Sequence, residues 1–274
     1  MLLVLNVNNT NTVIALYALT AEGLTGDLRA TWRISTRQGQ TADEYGIVIR
    51  SLLTNEGVES TTIRGVVIAS VVPPIDWILR QFCERTFHQK PLFIEPGVKT
   101  GLPILTDNPG EVGADRVANC VGAFHKYGGP TIVVDMGTAT NFDVVSKKGE
   151  FLGGAIAPGL NISAEALFAR AARLPRVEIR RPAKIIGTNT VDNLQIGLFW
   201  GHLGLVDSIL ERMIAELGPE TKCIATGGLA HLIARESKYI SAVDDMLTLE
   251  GLRLIYDRNR GTRTHAPAPR APQT

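Results

Sequence analysis

The chain is short of the residues that mark a specialised environment. It has three cysteines in 274 residues, Cys83, Cys120 and Cys223, far apart and with no CxxC pair. That disfavours a zinc site or a disulfide framework and leaves each thiol as a small buried hydrophobe in a reducing compartment. Neither sign of charge is in excess: 28 Lys and Arg against 27 Asp and Glu leave a net charge of +1. So even a balance gives no electrostatic reason to expect nucleic acid or an acidic membrane as a partner. No apolar run approaches the ~20 residues of a membrane span. Met1 leads straight into Leu-Leu-Val-Leu, with no basic segment or small-residue cleavage site, which predicts a cytoplasmic protein. The five histidines lack ligand spacing, so His202 and His231 are expected in packing or at the surface. What the chain does have is 45% hydrophobic residues, enough to build a large core in one or two domains.

The most informative stretch is Val133-Val134-Asp135-Met136-Gly137-Thr138-Ala139-Thr140-Asn141. An apolar run stops at an acid, a glycine and small hydroxyl residues, and a second run, Phe142 to Val145, follows. This reads as strand, tight turn, strand. Such a turn is either an ordinary hairpin or a place where a bulky anion meets backbone N–H groups and hydroxyls. The same plan stands at the N-terminus: Leu2 to Val7, a polar turn over Asn8-Asn9-Thr10, then Val13 to Leu19. Further strands are expected at 28–35, with Trp32 and Ile34 on one face, and at 65–72, 91–94, 150–157 and 222–225. Helices are expected at 41–55, 75–87, 163–172, 191–217 and 248–258. Thr41 and Glu44 form a capping box, and Ile47, Val48, Ile49, Leu52 and Leu53 an apolar face. Thr190 is a plausible cap for the long helix. The turn-rich segment 95–116 is long enough to suggest function and runs into a helix opening at Gly113-Ala114-Asp115-Arg116. Trp32, Trp77 and Trp200 read as core. The tail from Gly261 has no periodicity and reads as disordered. Each half is thus a strand meander followed by helix, strand, helix, and two such α/β lobes would enclose a ligand cleft.

The order of a polar first hairpin, a second Asp-x-Gly-Thr hairpin and the late Thr226-Gly227-Gly228 resembles the actin-like ATPase and sugar-kinase superfamily. Within it, the chain closely resembles the type III pantothenate kinases. The motifs are Thr100-Gly-Leu-Pro, Asp107-Asn-Pro, Gly113-Ala-Asp-Arg116, Asp135-Met-Gly-Thr-Ala-Thr140, Gly153-Gly-Ala-Ile-Ala-Pro-Gly159 and Gly187-Thr-Asn-Thr190, in order, across a match running from Met1 to about residue 260. The resemblance implies two ribonuclease-H-like lobes, 1–116 and 117–260, ahead of the tail at 261–274. It implies ATP-dependent phosphorylation of the primary hydroxyl of pantothenate, the entry to coenzyme A synthesis. Asp115 would be the general base. Gly113, Ala114, Asp115, Arg116 and Thr190 would hold pantothenate, Thr190 across a homodimer interface. Asn6, Val7, Asn8, Asn9, Thr10, Asn11, Thr12, Val13 and Thr138 would bind ATP with Mg2+, and Asp135 a monovalent cation, K+ or NH4+. No nucleic acid or membrane partner is expected.

The residue types suit that chemistry. Phosphoryl transfer needs alignment and charge neutralisation more than covalent help, and an alcohol nucleophile needs a carboxylate within reach of its proton. Asp115, at a helix start beside Arg116, is expected to stay ionised. The chain departs from the family pattern at its first loop. The usual Asp-x-Gly-Asn-Thr is Asn6-Val7-Asn8-Asn9-Thr10, so a charge is lost at Asn6 and a glycine at Asn8. Asn8 is expected to be tolerated because asparagine accepts left-handed turn geometry. A unit charge at about 4 Å in an effective dielectric of about 20 is worth roughly 4 kcal/mol. Fully felt in the transition state, its loss would slow turnover roughly a thousandfold. Thr106 replaces a tyrosine often found ahead of Asp-Asn-Pro. Two other readings stay open: a paralogue that binds nucleotide or pantothenate and acts through a partner protein, and a kinase for another small alcohol.

Overall fold

The computed structural model describes residues 1–20, 25–171 and 173–260; the expected tail lies outside them. Each half builds one five-stranded sheet. In the first, β1 (Leu2–Val7), β2 (Asn11–Leu19) and β3 (Thr25–Ser35) form an antiparallel meander, and β4 (Gly65–Ser70) and β5 (Leu92–Phe93) add in parallel beyond β1, giving the order β3-β2-β1-β4-β5. The second repeats this with β6 (Thr131–Met136), β7 (Ala139–Val145), β8 (Phe151–Pro158), β9 (Lys222–Thr226) and β10 (Ile240–Val243), in the order β10-β9-β6-β7-β8.

The strand alternation decides what each sheet faces, because successive side chains point to opposite sides. In β1, Leu3, Leu5 and Val7 face the outer core with α1 (Ala42–Asn55) and α2 (Asp76–Phe87). Leu2 and Val4 face the other way, into a middle layer made by α3 (Ala114–Tyr127) and α7 (Leu247–Asn259). In β6, Ile132, Val134 and Met136 face α5 (Thr190–Leu217), while Val133 faces the same middle layer. The two sheets thus share the α3–α7 pair. Those helices approach closely at two glycines: a Cβ on Gly122 would lie 2.5 Å from the Leu247 carbonyl oxygen, and one on Gly251 would strike the carbonyl of Ala118. α7 is also tied to the first sheet, since Tyr17 donates to Glu250 Oε1 at 2.9 Å and Thr25 Oγ1 to Asp257 Oδ2 at 2.5 Å.

Local signals explain most element ends. Thr41 Oγ1 accepts from the Glu44 amide, and Glu44 accepts from the Thr41 amide at 2.7 Å, so the capping box is formed. All three cysteines are buried. Several expectations need correction. Ile47 is exposed, because α1 turns Tyr45, Ile49 and Leu53 to the core instead. Trp77 stands 66% exposed on α2, whereas Trp32 and Trp200 pack against the cores. α4 (Leu160–Arg170) starts three residues earlier than expected. The cap of α5 is Asn189, whose side chain accepts from the Asp192 amide; Thr190 is the first helical residue. The short α6 (Ala230–Ala234) and the four-residue β10 have too little periodicity to be read from sequence.

Candidate functional site

Asn6 and Asp135 hold the same place in the two sheets. Each is the fifth residue of a six-residue first strand, and alternation turns each toward the middle layer, in step with Leu2 and Val4, or with Val133. The polar turns Asn8–Thr10 and Gly137–Thr138 follow at the same strand ends, with Asn9, Thr10, Gly137 and Thr138 exposed. Neither turn needs a left-handed residue: among described non-glycine residues only His88 has positive φ, and Gly137 does not have it either. Asn8 is therefore accommodated because its backbone is ordinary, not because it is left-handed. Val7 pairs with Thr12 and Asn6 with Val13, so the expected nucleotide segment is one hairpin. Asn11 N–H does not close the turn; the Asn8 amide donates to the Asn11 carbonyl at 3.0 Å. Thr12 Oγ1 lies 2.9 Å from Thr36 Oγ1.

The two equivalent positions differ in charge and satisfaction. Asn6 is buried, with its Oδ1 lacking a partner among the described residues. Such an atom calls for water or a ligand. Asp135 Oδ2 accepts from Asn119 Nδ2 at 2.9 Å, and Asn119 Oδ1 accepts from Thr248 Oγ1 at 2.6 Å. The threonine thereby fixes which end of the amide meets the acid. Asp135 Oδ1 has no hydrogen bond among the described residues. Gly227 abuts it with φ +94°, and a Cβ there would sit 2.7 Å from this oxygen. Only glycine fits that point of the Thr226-Gly227-Gly228 turn.

Asp115 and Asn119 lie four residues apart on α3, hence on one face. Gly113 caps α3 without a side-chain bond and leaves room for Asp115 Oδ1, which accepts the Arg116 amide at 2.8 Å. Ala114 is buried beneath it. Burial, foremost, raises the Asp115 carboxyl above its ordinary value. Burial, then repulsion from Asp115, pushes Asp135 up to about 6. The Arg116 guanidinium turns away from its neighbour Asp115: its Nε and Nη2 bond Asp143 Oδ1 at 2.8 and 2.5 Å. Asp143, on β7 and fully buried, is also pushed up to about 6, by burial first and against the pull of Arg116. Asp115, Asp135 and Asp143 thus form one electrostatically linked group.

Asp143, Asn119 and Thr248 were not singled out in the sequence. Asp143 sits in an apolar strand run where its pairing is invisible, though an acid between Phe142 and Val144 is a signal of its own. Thr190 is exposed at the start of α5, and no hydrogen bond or charge contact joins it to Asp115, Asp135 or Thr138 among the described residues. A cavity of about 250 Å³ lined by Gly101, Leu102, Val121, Phe124, His125 and Arg258 lies along later turns of α3, away from Asp115.

Two meanders, each extended in parallel and facing the other across shared helices, make the two-lobe α/β fold of the actin-like ATPases. Solved structures agree on the fold: a Baf family transcriptional activator from Campylobacter jejuni superposes with a TM-score of 0.59 at 17% identity, covering 94% of this chain and 99% of that one. A dehydratase activator from Clostridium difficile with bound ADPNP does so with a TM-score of 0.51 at 14% identity, covering 96% and 98%. The sequence narrows the class. The type III pantothenate kinase family model matches residues 2–212, and the chain belongs to that family. It is 78% identical over 263 residues to the type III pantothenate kinase of Acidobacterium capsulatum, covering 96% of this chain and 97% of the relative. It is 50% identical to that of Solibacter usitatus over the full length of both.

Proposed function

We propose that this kinase transfers the terminal phosphoryl group of ATP to the primary hydroxyl of pantothenate, the first step of coenzyme A synthesis. The observation that carries the reading is the placement of Asp115: a half-buried carboxylate at a helix start, in charge contact with Asp135 at the end of the strand that leads into Thr138. A carboxylate raised toward neutrality by burial is suited to taking a proton from an alcohol as the new P–O bond forms. Arg116, Gly113, Ala114 and, from a second subunit, Thr190 hold pantothenate. The hairpin Asn6–Val13 and Thr138 hold the nucleotide through turn N–H groups and hydroxyls. The lobes are 1–116 and 117–260.

Asp135 offers a free carboxylate oxygen at the strand end, which suits a monovalent cation, K+ or NH4+. No cluster of three or more His, Cys, Asp or Glu arranged for a metal occurs among the described residues. Mg2+ keeps its waters and takes few protein ligands, so it would arrive on the nucleotide. Asn6 Oδ1 fits as an acceptor for such a water. When bound, these cations screen the phosphate oxygens; the chain's own part is to align, orient and accept the proton.

The protein acts as a cytoplasmic homodimer without nucleic acid or membrane partners. No helix among the described residues is long and apolar enough to cross a membrane. Support for the dimer comes from Ile156, Ile162, Leu167, Ile185, Ile186 and Val191, all exposed on β8, α4, the approach to α5 and its first turn. Scattered exposed apolar side chains are ordinary, but Ile185, Ile186 and Val191 gather in the stretch of chain around Thr190. The retained base speaks against a protein that only binds. The test is ADP release with pantothenate, ATP, Mg2+ and K+, beside a panel of sugars and other small alcohols. Turnover confined to pantothenate is expected, and Asp115→Asn should remove it while leaving ATP binding intact. Turnover with a sugar alone would overturn the assignment.

A further inference from the structure

Asp143 is a buried charge that the proposed reaction leaves without a task. It lies on the middle-layer face of β7, between Phe142 and Val144, which turn to the opposite core. Its Oδ1 takes both Arg116 bonds, and its Oδ2 meets no donor among the described residues. A buried ion pair is a poor way to gain stability, since hydrophobic residues of like volume often do as well. Its geometry points to another use. The Arg116 guanidinium also lies 5.6 Å from the centre of the Phe151 ring. Phe151 is pinned by the loop before α3: its amide donates to the Pro103 carbonyl and its carbonyl accepts the Leu105 amide, both at 2.8 Å. The guanidinium is thus held from α3, β7 and β8 together. With Nε and Nη2 engaged, Nη1 is left with no protein acceptor among the described residues.

We propose that Asp143 is a positioning residue for substrate binding, fixing Arg116 so that its Nη1 edge meets the polar groups of pantothenate already oriented. The ordering cost of a long side chain is then met on folding rather than on binding. This rests on the reading of Arg116 as a pantothenate contact. The test is calorimetric titration of pantothenate, with steady-state kinetics, on wild type, Arg116→Ala, Asp143→Asn and the double variant. Asp143→Asn should raise the pantothenate Kd and KM by roughly tenfold or more, leaving the ATP KM within about twofold, and the double variant should bind no worse than Arg116→Ala. Wild-type affinity in Arg116→Ala would remove the reading of Arg116 and this inference with it. If Arg116→Ala binds weakly while Asp143→Asn binds normally, or if the two losses multiply in the double variant, the inference alone fails. Should Asp143→Asn not fold, Arg116→Lys decides. A single ammonium cannot bond Asp143 through two nitrogens and present a third, so the same loss of pantothenate affinity is expected, and wild-type affinity would overturn the proposal.

Discussion

Asp115 and Asn6 make opposite predictions. For Asp115, burial raises the carboxyl, and in the proposed role of base the ionised form would be the working one. The acidic limb of the kcat/KM profile should therefore lie above the ordinary aspartate value of 3.8, activity being lost as pH falls through it; a limb at or below that value would exclude Asp115 as the base. At Asn6, where the family resemblance implies a charge, a buried oxygen lacks a partner among the described residues. Asn6→Asp should lower the Mg2+ concentration needed for half-maximal rate and raise kcat; unchanged turnover over a titration of Mg2+ and K+ would show that the lost charge was never felt. Asp135 carries a linked cost. Its folded value, about 6, exceeds the ordinary aspartate value of 3.8, so it holds its proton to higher pH folded than unfolded. Its contribution to stability is therefore present below about 4 and lost as pH rises through about 6. Thermal melts in cation-poor buffer should show wild type losing stability against Asp135→Asn as pH is raised across that window.

At the level of elements, α1 and the α3–α7 pair can be told apart by mutation. Thr41→Ala removes the exposed capping box of α1, far from Asp115, and should cost about 1 kcal/mol in denaturant unfolding with kcat unaltered. Gly251→Ala drives a methyl into the Ala118 carbonyl on α3, one residue before Asn119. It should cost more, in the range of ~1–3 kcal/mol for overpacking, and should lower kcat because α3 carries both Asp115 and Asn119. A Gly251→Ala enzyme with normal stability and normal kcat would mean that the close approach of these helices is not needed. The element order was readable in advance because β-branched runs and the Thr41–Glu44 pair act over a few residues. Ile47 and Trp77 were misjudged because a helix pattern offers several apolar faces and does not say which one the sheet covers.

For the whole molecule, the proposed dimer would tie activity to association through Ile185 and Ile186, exposed just ahead of α5. Ile185→Asp with Ile186→Asp should yield a monomer by sedimentation and raise the pantothenate KM, if Thr190 acts from the neighbouring subunit. A monomer with normal KM would remove Thr190 from the substrate site. The sequence alone determined the two strand–turn–strand units, the helix start at Gly113–Arg116 and the family to which the chain belongs, because each depends on contiguous residues. Tertiary structure decided the rest. It paired Arg116 with Asp143 rather than Asp115, set Asn119 and Thr248 behind Asp135, and placed Gly227 against its free oxygen. Those partners lie between 16 and 129 residues apart where bonded. Charges and hydrogen bonds act through space, and only the closing of two sheets on one helix pair brings such distant groups within their range.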